Sequence, residues 1–159
     1  MIEIRRATAS DADTIRRIYC HADVLPFISD DGLDMTKMDF GILAGNPMAT
    51  FLIFSDEGRD IGTFFFYPVN HITYELHTAF LPGSRGAVVK QASLLAREYM
   101  FTQTPCRKVV TSIPVYNKKA YLMARMCGME QEGLNRRSYL KDGVIYDQYV
   151  MGICKEEVA

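Results

Sequence analysis

One stretch of the sequence, residues 72–102, restricts the fold more than any other, because a long strand there runs into a glycine-containing loop and then into a long helix. Residues 72–81 alternate in the manner of a strand, with apolar and aromatic side chains on one face and Glu75 and His77 on the other. Beyond the loop at 82–86, apolar residues recur every three or four positions, which is typical of an amphipathic helix. The stretch therefore predicts a sheet with a helix packed against it.

The rest of the chain extends this unit into a mixed sheet. The hydrophobic pattern and the turn residues predict the order β-α-α-β-β-β-α-β-α-β-β. The predicted strands are 2–8, 49–55, 60–67, 72–81, 108–113, 129–140 and 144–154. The first helix is predicted to begin with a capping box at Ser10 and Asp13, and a weaker second helix is predicted over 33–44. The pair Asp142-Gly143 predicts a tight hairpin between the last two strands.

Composition excludes several classes of protein. A chain of 159 residues is expected to form one domain, 1–159. Its 18 Lys and Arg against 19 Asp and Glu do not favour nucleic-acid binding, which needs a basic surplus. No apolar run of membrane-spanning length and no apolar N-terminal segment are present, so neither a membrane span nor a secretory signal is expected. The four cysteines form no CxxC pair and the three histidines complete no zinc spacing, which predicts reduced thiols, no metal and a cytoplasmic protein.

The glycine-containing loop is the first candidate binding site. Its residues suit an anion such as a diphosphate, because Gly83, Ser84 and Gly86 permit close approach to the free N–H groups of a helix N-terminus. Arg85 adds a planar cation suited to phosphate oxygens. A tight turn that binds nothing is the alternative.

Asn117, Glu75 and His77 are the other candidates. Asn117 stands at a strand-to-helix turn, where it can cap the helix or contact a ligand between neighbouring strands. A carboxylate on an interior strand is costly to bury unpaired, and a raised pKa would make Glu75 a general base at neutral pH. The alternative for Glu75 is an ion pair with an Arg or Lys, and for His77 it is an ordinary hydrogen-bonded histidine.

These features resemble the GNAT superfamily of N-acetyltransferases. The resemblance rests on the element order, on the loop after the fourth strand and on the spacing Asn-x-x-Ala…Gly that begins at Asn117, and it covers essentially the whole chain. It implies an α+β fold, with a central, mixed but mostly antiparallel sheet of six to seven strands flanked by about four helices. Residues 129–147 look most like the ribosomal-protein N-terminal acetyltransferase branch, and residues 75–86 look like GNAT-like proteins encoded by phages.

The resemblance implies an acetyl-CoA site without a metal. The backbone of Phe80 and Leu81 would pair with the pantetheine arm, and Asn117 would contact the cofactor from the other side of the splayed strands. Glu75 would be the base, with His77 as the reserve. The residues expected around the diphosphate are Gly83, Ser84, Arg85, Gly86, Ala87 and Val88.

The acceptor implied by the resemblance is a primary amine of a protein or of a small molecule. Its groove is expected between the helix pair at 11–44 and the hairpin at 134–146, lined by residues such as Tyr19, Phe27, Asp30, Asp31, Arg136 and Tyr139. No nucleic acid or membrane partner is expected, the location is the cytoplasm (of the host, if phage-encoded), and the strand-rich C-terminus could support a homodimer. The alternative is a GNAT-shaped interaction or virion-associated module without turnover.

Two positions depart from the common family pattern. Val88 stands where the loop usually has a second small residue, and a branched side chain there would crowd a diphosphate at the helix N-terminus. Ala124 stands where many members have the tyrosine that protonates the leaving thiolate, and Tyr116 and Tyr121 are out of register. A thiol with a pKa near ~8.5 can leave without that proton at a modest penalty.

Overall fold

Seven strands form one mixed sheet in the computed structural model of the protein, which describes residues 1–84 and 86–158. The strands are β1 (Ile2–Arg6), β2 (Thr50–Asp56), β3 (Arg59–Pro68), β4 (Thr73–Phe80), β5 (Lys108–Pro114), β6 (Glu130–Lys141) and β7 (Val144–Cys154). The helices are α1 (Ala12–Tyr19), α2 (Phe40–Gly45), α3 (Gly86–Gln103) and α4 (Lys118–Met126). The strand order across the sheet is β1-β2-β3-β4-β5-β7-β6, and only the β4–β5 neighbours are parallel. The predicted element order and the mixed, mostly antiparallel sheet are confirmed.

The starts of the first two helices differ from the prediction. The capping box at the first helix is formed by Thr8 and Asp11, whose carboxylate accepts the Thr8 N–H at 2.9 Å, and not by Ser10 and Asp13. The predicted second helix is wrong over its first half, because α2 begins only after Asp39, whose side chain accepts the Ile42 N–H at 3.0 Å. Short acidic side chains bind nearby backbone N–H groups, and this fixes helix starts that hydrophobic spacing alone does not show.

Each face of the sheet carries its own apolar core. Helices α3 and α4 cover one face, where Phe64 and Phe66 of β3 pack with the apolar side of α3. Helices α1 and α2 cover the other face, where Phe65 of the same strand packs against a second cluster. The aromatic run of β3 is therefore covered on both sides, as its composition predicts. Among the described residues, no helix is long and apolar enough to cross a membrane.

Strands β4 and β5 separate shortly after they meet. Their parallel ladder joins Thr73 to Lys108 and ends where Glu75 pairs with Val110, although both strands continue in the described chain. The gap between residues 76–80 of β4 and 111–114 of β5 is called the wedge below. At its apex the Thr111 hydroxyl donates to the Leu76 carbonyl at 2.9 Å, so a side chain replaces the next backbone bond. Because the two strands are parallel, their carboxyl ends lie at the same edge of the sheet.

An aromatic cluster holds the end of β4 in place. The ring of Phe54 lies 5.1 Å from the rings of both Phe64 and Phe80, measured between centroids. It can lie there because Gly62 has no side chain: a Cβ at this position would be 2.1 Å from the Phe54 ring. Gly62 also pairs directly with Phe80 across the β3–β4 ladder. The glycine thus allows the packing that positions the last residue of β4 beside the wedge.

We therefore expect Gly62→Ala to destabilise the protein. Overpacking a filled core typically costs about 1–3 kcal/mol, and here the added methyl group meets an aromatic ring that other rings hold in place. Urea unfolding measures the loss. Gly133→Ala on β6 is the matched control, since a Cβ there meets nothing within 4 Å. Equal stabilities of the two variants would contradict this packing.

Candidate functional site

In the part of the chain that the structure describes, the edge of β4 that faces the wedge has backbone groups without strand partners. Hydrogen bonds from Leu81 N–H to the Ile61 carbonyl and from Val69 N–H to the Thr73 carbonyl, both 2.8 Å, show that odd-numbered residues of β4 bond to β3. In an antiparallel pair the hydrogen-bonding direction alternates along the strand. The N–H and C=O groups of residues 76, 78 and 80 therefore point away from β3 and toward β5.

The backbone groups of β5, on the other edge of the wedge, also alternate in direction. Bonds from Lys155 N–H to the Arg107 carbonyl (2.8 Å) and from Val115 N–H to the Asp147 carbonyl (3.0 Å) assign the odd-numbered residues of β5 to β7. The backbone groups of Ser112 consequently face the wedge, and the Pro114 carbonyl accepts the Asn117 N–H at 2.8 Å. An extended chain inserted between β4 and β5 would meet hydrogen-bonding edges on both sides.

The two residues predicted to pair with the pantetheine arm, Phe80 and Leu81, differ in the direction of their backbone groups. The backbone groups of Phe80 face the wedge. Those of Leu81 do not: its N–H donates to Ile61, and its carbonyl accepts the Ser84 hydroxyl at 2.9 Å. The expectation for Leu81 is corrected, because the residue already belongs to the β3 ladder and to the loop turn.

Two glycines leave space at the N-terminus of α3, which lies beside the wedge. Gly83 has φ +87°, which favours glycine, and a Cβ there would meet none of the described residues within 4 Å. At Gly86 a Cβ would meet only Met123 of α4, at 3.9 Å. Val88 is half-buried and packs against the core, and Ala87 is exposed. Crowding of a diphosphate by Val88 stays a prediction. Arg85 lies outside the described residues.

The N-terminus of α4 lies at the same edge of the sheet. Asn117 caps it, since its side-chain oxygen accepts the Ala120 N–H at 3.2 Å. The alternative that Asn117 caps the helix is therefore correct for its side-chain oxygen. The side-chain NH₂ group of Asn117 remains able to donate a hydrogen bond. Lys118 and Lys119 follow in the first turn, both exposed. Cations are unfavourable next to the positive end of a helix dipole, so these two lysines favour an anion nearby.

Glu75 and His77 lie together on the face covered by α1 and α2. Glu75 Oε1 is 3.6 Å from His77 Nε2, and their side chains are 42% and 53% exposed. The expected burial of this carboxylate is wrong, and within residues 1–84 and 86–158 its ion-pair partner is His77. Glu75 is also the last β4 residue in the β5 ladder, which puts it at the apex of the wedge.

The tyrosines near α4 have other partners. Ala124 is half-buried and packs against the core. The ring of Tyr121 is tilted by 50° against that of Tyr149, with the centroids 4.8 Å apart, and the Tyr121 hydroxyl donates to Gln131 Oε1 at 3.2 Å. Tyr116 lies in the loop before α4 and faces the hairpin of β6 and β7.

A groove of about 630 Å³ lies between the α1–α2 connection and the β6–β7 hairpin, where the acceptor groove is expected. It is lined by Leu25, Pro26, Phe27, Ser29, Tyr116, Lys141, Asp142 and Tyr146. Of the residues predicted there, Phe27 is in the lining. Tyr19 is not, because it is buried in the core against Phe40 and Phe51. Arg136 lines a separate cavity at a bulge of β6, beside Asp147.

The far wall of this groove is held by a clamp between distant parts of the chain. The Asp31 carboxylate accepts the N–H groups of Asp142 and Gly143 at 2.8 and 2.9 Å, and Lys141 Nζ donates to the Ser29 carbonyl at 2.9 Å. The Gly143 and Asp142 N–H groups lower the pKa of Asp31 below its ordinary value. Asp31, which the sequence predicts to line the groove, is not in the lining. It holds the hairpin that forms the groove wall. Among residues 1–84 and 86–158, no three His, Cys, Asp or Glu side chains are grouped so that they could hold a metal ion.

Comparison with solved structures identifies the fold. A spermidine N-acetyltransferase from Vibrio cholerae, in complex with CoA and spermine, matches with a TM-score of 0.83 over 98% of this chain and 96% of that chain, at 17% identity. An N-acetyltransferase from Staphylococcus aureus matches with a TM-score of 0.78 over 97% of both chains, at 15% identity. No protein-family model and no curated protein sequence matches the chain. The fold is that of the GNAT N-acetyltransferases.

The clamp predicts a pH dependence of the hairpin. Because the folded-state pKa of Asp31 is lowered, its stabilising contribution is present above the unfolded value of about 3.9 and is lost as the pH falls through the folded-state value. We expect Asp31→Asn to reproduce the low-pH state at neutral pH. Amide hydrogen exchange at Asp142 and Gly143 should speed up, and Glu3→Gln on β1 is the control. Unchanged protection of the two amides would contradict the clamp.

Proposed function

We propose that this chain is an acetyl-CoA-dependent N-acetyltransferase that acts on a small-molecule primary amine. One observation carries the proposal: two strands separate to form a wedge with free backbone edges, and two helix N-termini lie at its open end. The relative from V. cholerae has this fold in complex with CoA. A wedge of this kind serves no purpose in sheet stability, since it leaves backbone groups without strand partners.

The residues at the wedge fit the donor. The backbone groups of residues 78 and 80 face the gap and could pair with the amides of a pantetheine arm. The N–H groups of the first turn of α3 favour a diphosphate, and Gly83 and Gly86 leave the space for it. Lys118 and Lys119 add positive charge at the neighbouring helix. Arg85 and the NH₂ group of Asn117 are proposed to contribute in the same place.

Acetyl-CoA would supply a thioester as the acetyl source. The acceptor nitrogen forms the new C–N bond, the C–S bond breaks, and the amine proton passes to a base. Glu75 is proposed as that base, with His77 in reserve, because both side chains are accessible at the apex of the wedge. With Ala124 in place of a tyrosine, CoA would leave as the thiolate, at a modest cost for a thiol with a pKa near ~8.5.

A small-molecule acceptor is favoured over a protein acceptor by two features. The relative from V. cholerae contains spermine, an amine, beside CoA. The groove in this chain is bounded by the clamp of Asp31 on the hairpin turn. The narrower resemblance to the ribosomal-protein and phage-encoded relatives rests on sequence alone and stays a prediction, as do the single domain, the cytoplasmic location and the homodimer.

CoA binding tests the donor site. CoA at about one hundred times its Kd should stabilise the protein by about 2.7 kcal/mol, measured by thermal unfolding. Gly86→Asp should abolish this shift, because a carboxylate at the first residue of α3 repels a diphosphate. The same variant should unfold at the wild-type temperature or slightly above it, since an acidic residue there complements the helix dipole by about 0.3–1 kcal/mol.

Gly133→Asp on β6 is the control for the added charge, and it should keep the CoA shift. If CoA still stabilises Gly86→Asp, the diphosphate does not bind at the N-terminus of α3. No shift in the wild type would overturn the use of acetyl-CoA altogether.

Substitution of Glu75 tests the chemistry. If Glu75 removes the amine proton, Glu75→Gln should lower kcat by about 10²-fold or more and leave CoA binding unchanged. Release of the CoA thiol measures turnover, and Glu98→Gln on the exposed side of α3 is the matched control. Unchanged turnover would remove Glu75 from the mechanism. CoA binding without turnover in the wild type would instead favour a GNAT-shaped module that has lost catalysis.

A further inference from the structure

Three tyrosines form a cluster at the groove. Tyr139 of β6 and Tyr146 of β7 are a cross-strand pair on the face that carries α1 and α2. The ring of Tyr116, from the loop after β5, packs 4.6 Å from Tyr146 in an edge-on arrangement and 6.5 Å from Tyr139. Tyr139 and Tyr146 are half-buried, and Tyr116 is 38% exposed. None of the three tyrosines belongs to residues 76–80 or 111–114, which border the wedge. The proposed acetyl-transfer step therefore assigns this tyrosine cluster no role.

Three aspartates lie near the tyrosine cluster. Asp30 and Asp31 lie close enough to Tyr139, and Asp31 and Asp142 to Tyr116, to affect the ionisation of both phenols. Burial raises the pKa of Tyr139 to about 12, and the neighbouring tyrosine and carboxylates act in the same direction. The pKa of Tyr116 is raised as well, mainly by burial, so the hydroxyls of Tyr116 and Tyr139 both stay neutral at physiological pH. Among the described residues, Lys141 is the one cation in the groove lining, and its ammonium donates to the Ser29 carbonyl.

Aromatic faces backed by carboxylates are the chemistry that binds an organic cation. A ring quadrupole attracts an ammonium group placed over its face, and the attraction is strongest where water is partly excluded. A neutral apolar ligand would gain nothing from Asp30 and Asp142, and an anionic ligand would be repelled by them. The groove also continues onto the apolar side chains of Leu25 and Phe27, which suits an aliphatic chain attached to the cation.

We propose that the tyrosine cluster binds a second, non-reacting ammonium group of the acceptor, so that the preferred acceptors are aliphatic compounds with at least two amines. This inference rests on the proposed acetyl transfer for the role of the first amine. The binding of the second amine does not depend on turnover. The reacting amine must be neutral at the wedge, whereas the second amine stays charged at the tyrosine cluster.

Three probes of equal chain length test the proposal. These are 1,6-diaminohexane, n-hexylamine and the hexylamine that carries a trimethylammonium group at its far end. Each of the three carries an ammonium group at neutral pH, so titration calorimetry in the presence of CoA should give each about ten-fold tighter binding than the neutral reference n-hexanol, a difference of 1.4 kcal/mol. The trimethylammonium group cannot donate a hydrogen bond, so its binding reports on the aromatic faces.

Variants of Tyr116 locate the effect. Tyr116→Leu should reduce the ten-fold preference to about two-fold or less, while Tyr116→Phe, which keeps the ring, should retain it. Thermal unfolding checks that both variants fold, as expected for a side chain that is 38% exposed. Binding of the three probes no tighter than that of n-hexanol, or a preference over n-hexanol that survives Tyr116→Leu, would overturn the proposal.

The two proposals fail in distinguishable ways. Cation binding that depends on Tyr116, with no release of CoA thiol from acetyl-CoA, would support the tyrosine cluster and contradict the acetyl transfer. Release of thiol with hexylamine and the diamine at equal kcat/KM would support the transfer and contradict the tyrosine cluster. Retention of the preference in the quaternary compound alone would show that the rings, and not a hydrogen bond, bind the cation.

Discussion

The separation of β4 from β5 is the constraint on which the candidate site depends. Two parallel neighbours would normally extend their ladder, since each unmade backbone bond in a sheet leaves a donor and an acceptor to be satisfied elsewhere. Here the ladder stops after the pair Glu75–Val110, and the hydroxyl of Thr111 satisfies the first carbonyl left over. The end of β4 is held instead by its other neighbour β3 and by the packing of Phe80 with Phe54 and Phe64. The gap is thus a built feature, fixed by aromatic packing on one side and by β7 on the other.

Because side chains alternate along a strand, the two faces of the sheet at this gap carry different residues. On β4 the side chains of Tyr74 and Phe80 pack toward α3, and those of Glu75 and His77 lie on the face of α1 and α2. The helix N-termini of α3 and α4 belong to the first face, and the groove with Tyr116 and Tyr146 belongs to the second. Under the proposed function, the donor and the acceptor would approach from opposite faces and meet only through the wedge.

The features that follow from local pattern were predictable. The alternation at 72–81 and the spacing in the following helix give β4 and α3 almost to the residue, and Asp142-Gly143 gives a hairpin with φ values of +50° and +75°. The face that carries Glu75 and His77 also follows from alternation. The second helix was mispredicted because a single capping bond at Asp39 decides where it starts, and the apolar spacing of 33–44 does not register such a bond.

The features that depend on long-range contacts were not predictable from pattern. Asp31 binds a hairpin turn more than a hundred residues away, and nothing in the local sequence distinguishes it from Asp30. Tyr146 enters the groove only because the register of β6 with β7 pairs it with Tyr139, and that register shifts twice along β6. The exposure of Glu75 likewise depends on the tertiary structure, since an interior strand of a sheet covered by helices predicts burial.

That exposure has a consequence for the proposed chemistry. A deeply buried carboxylate becomes a base by losing its hydration, but a Glu75 side chain 42% exposed keeps much of it in the protein alone. The acceptor would have to complete the site, because an amine and its aliphatic chain in the groove would displace water from the region between the hairpin and α1. A second cation held at the tyrosine cluster would then do more than add affinity. It would fix the chain that brings the reacting amine to the wedge, and proximity of this kind supplies a large part of the rate in transfer between two bound substrates.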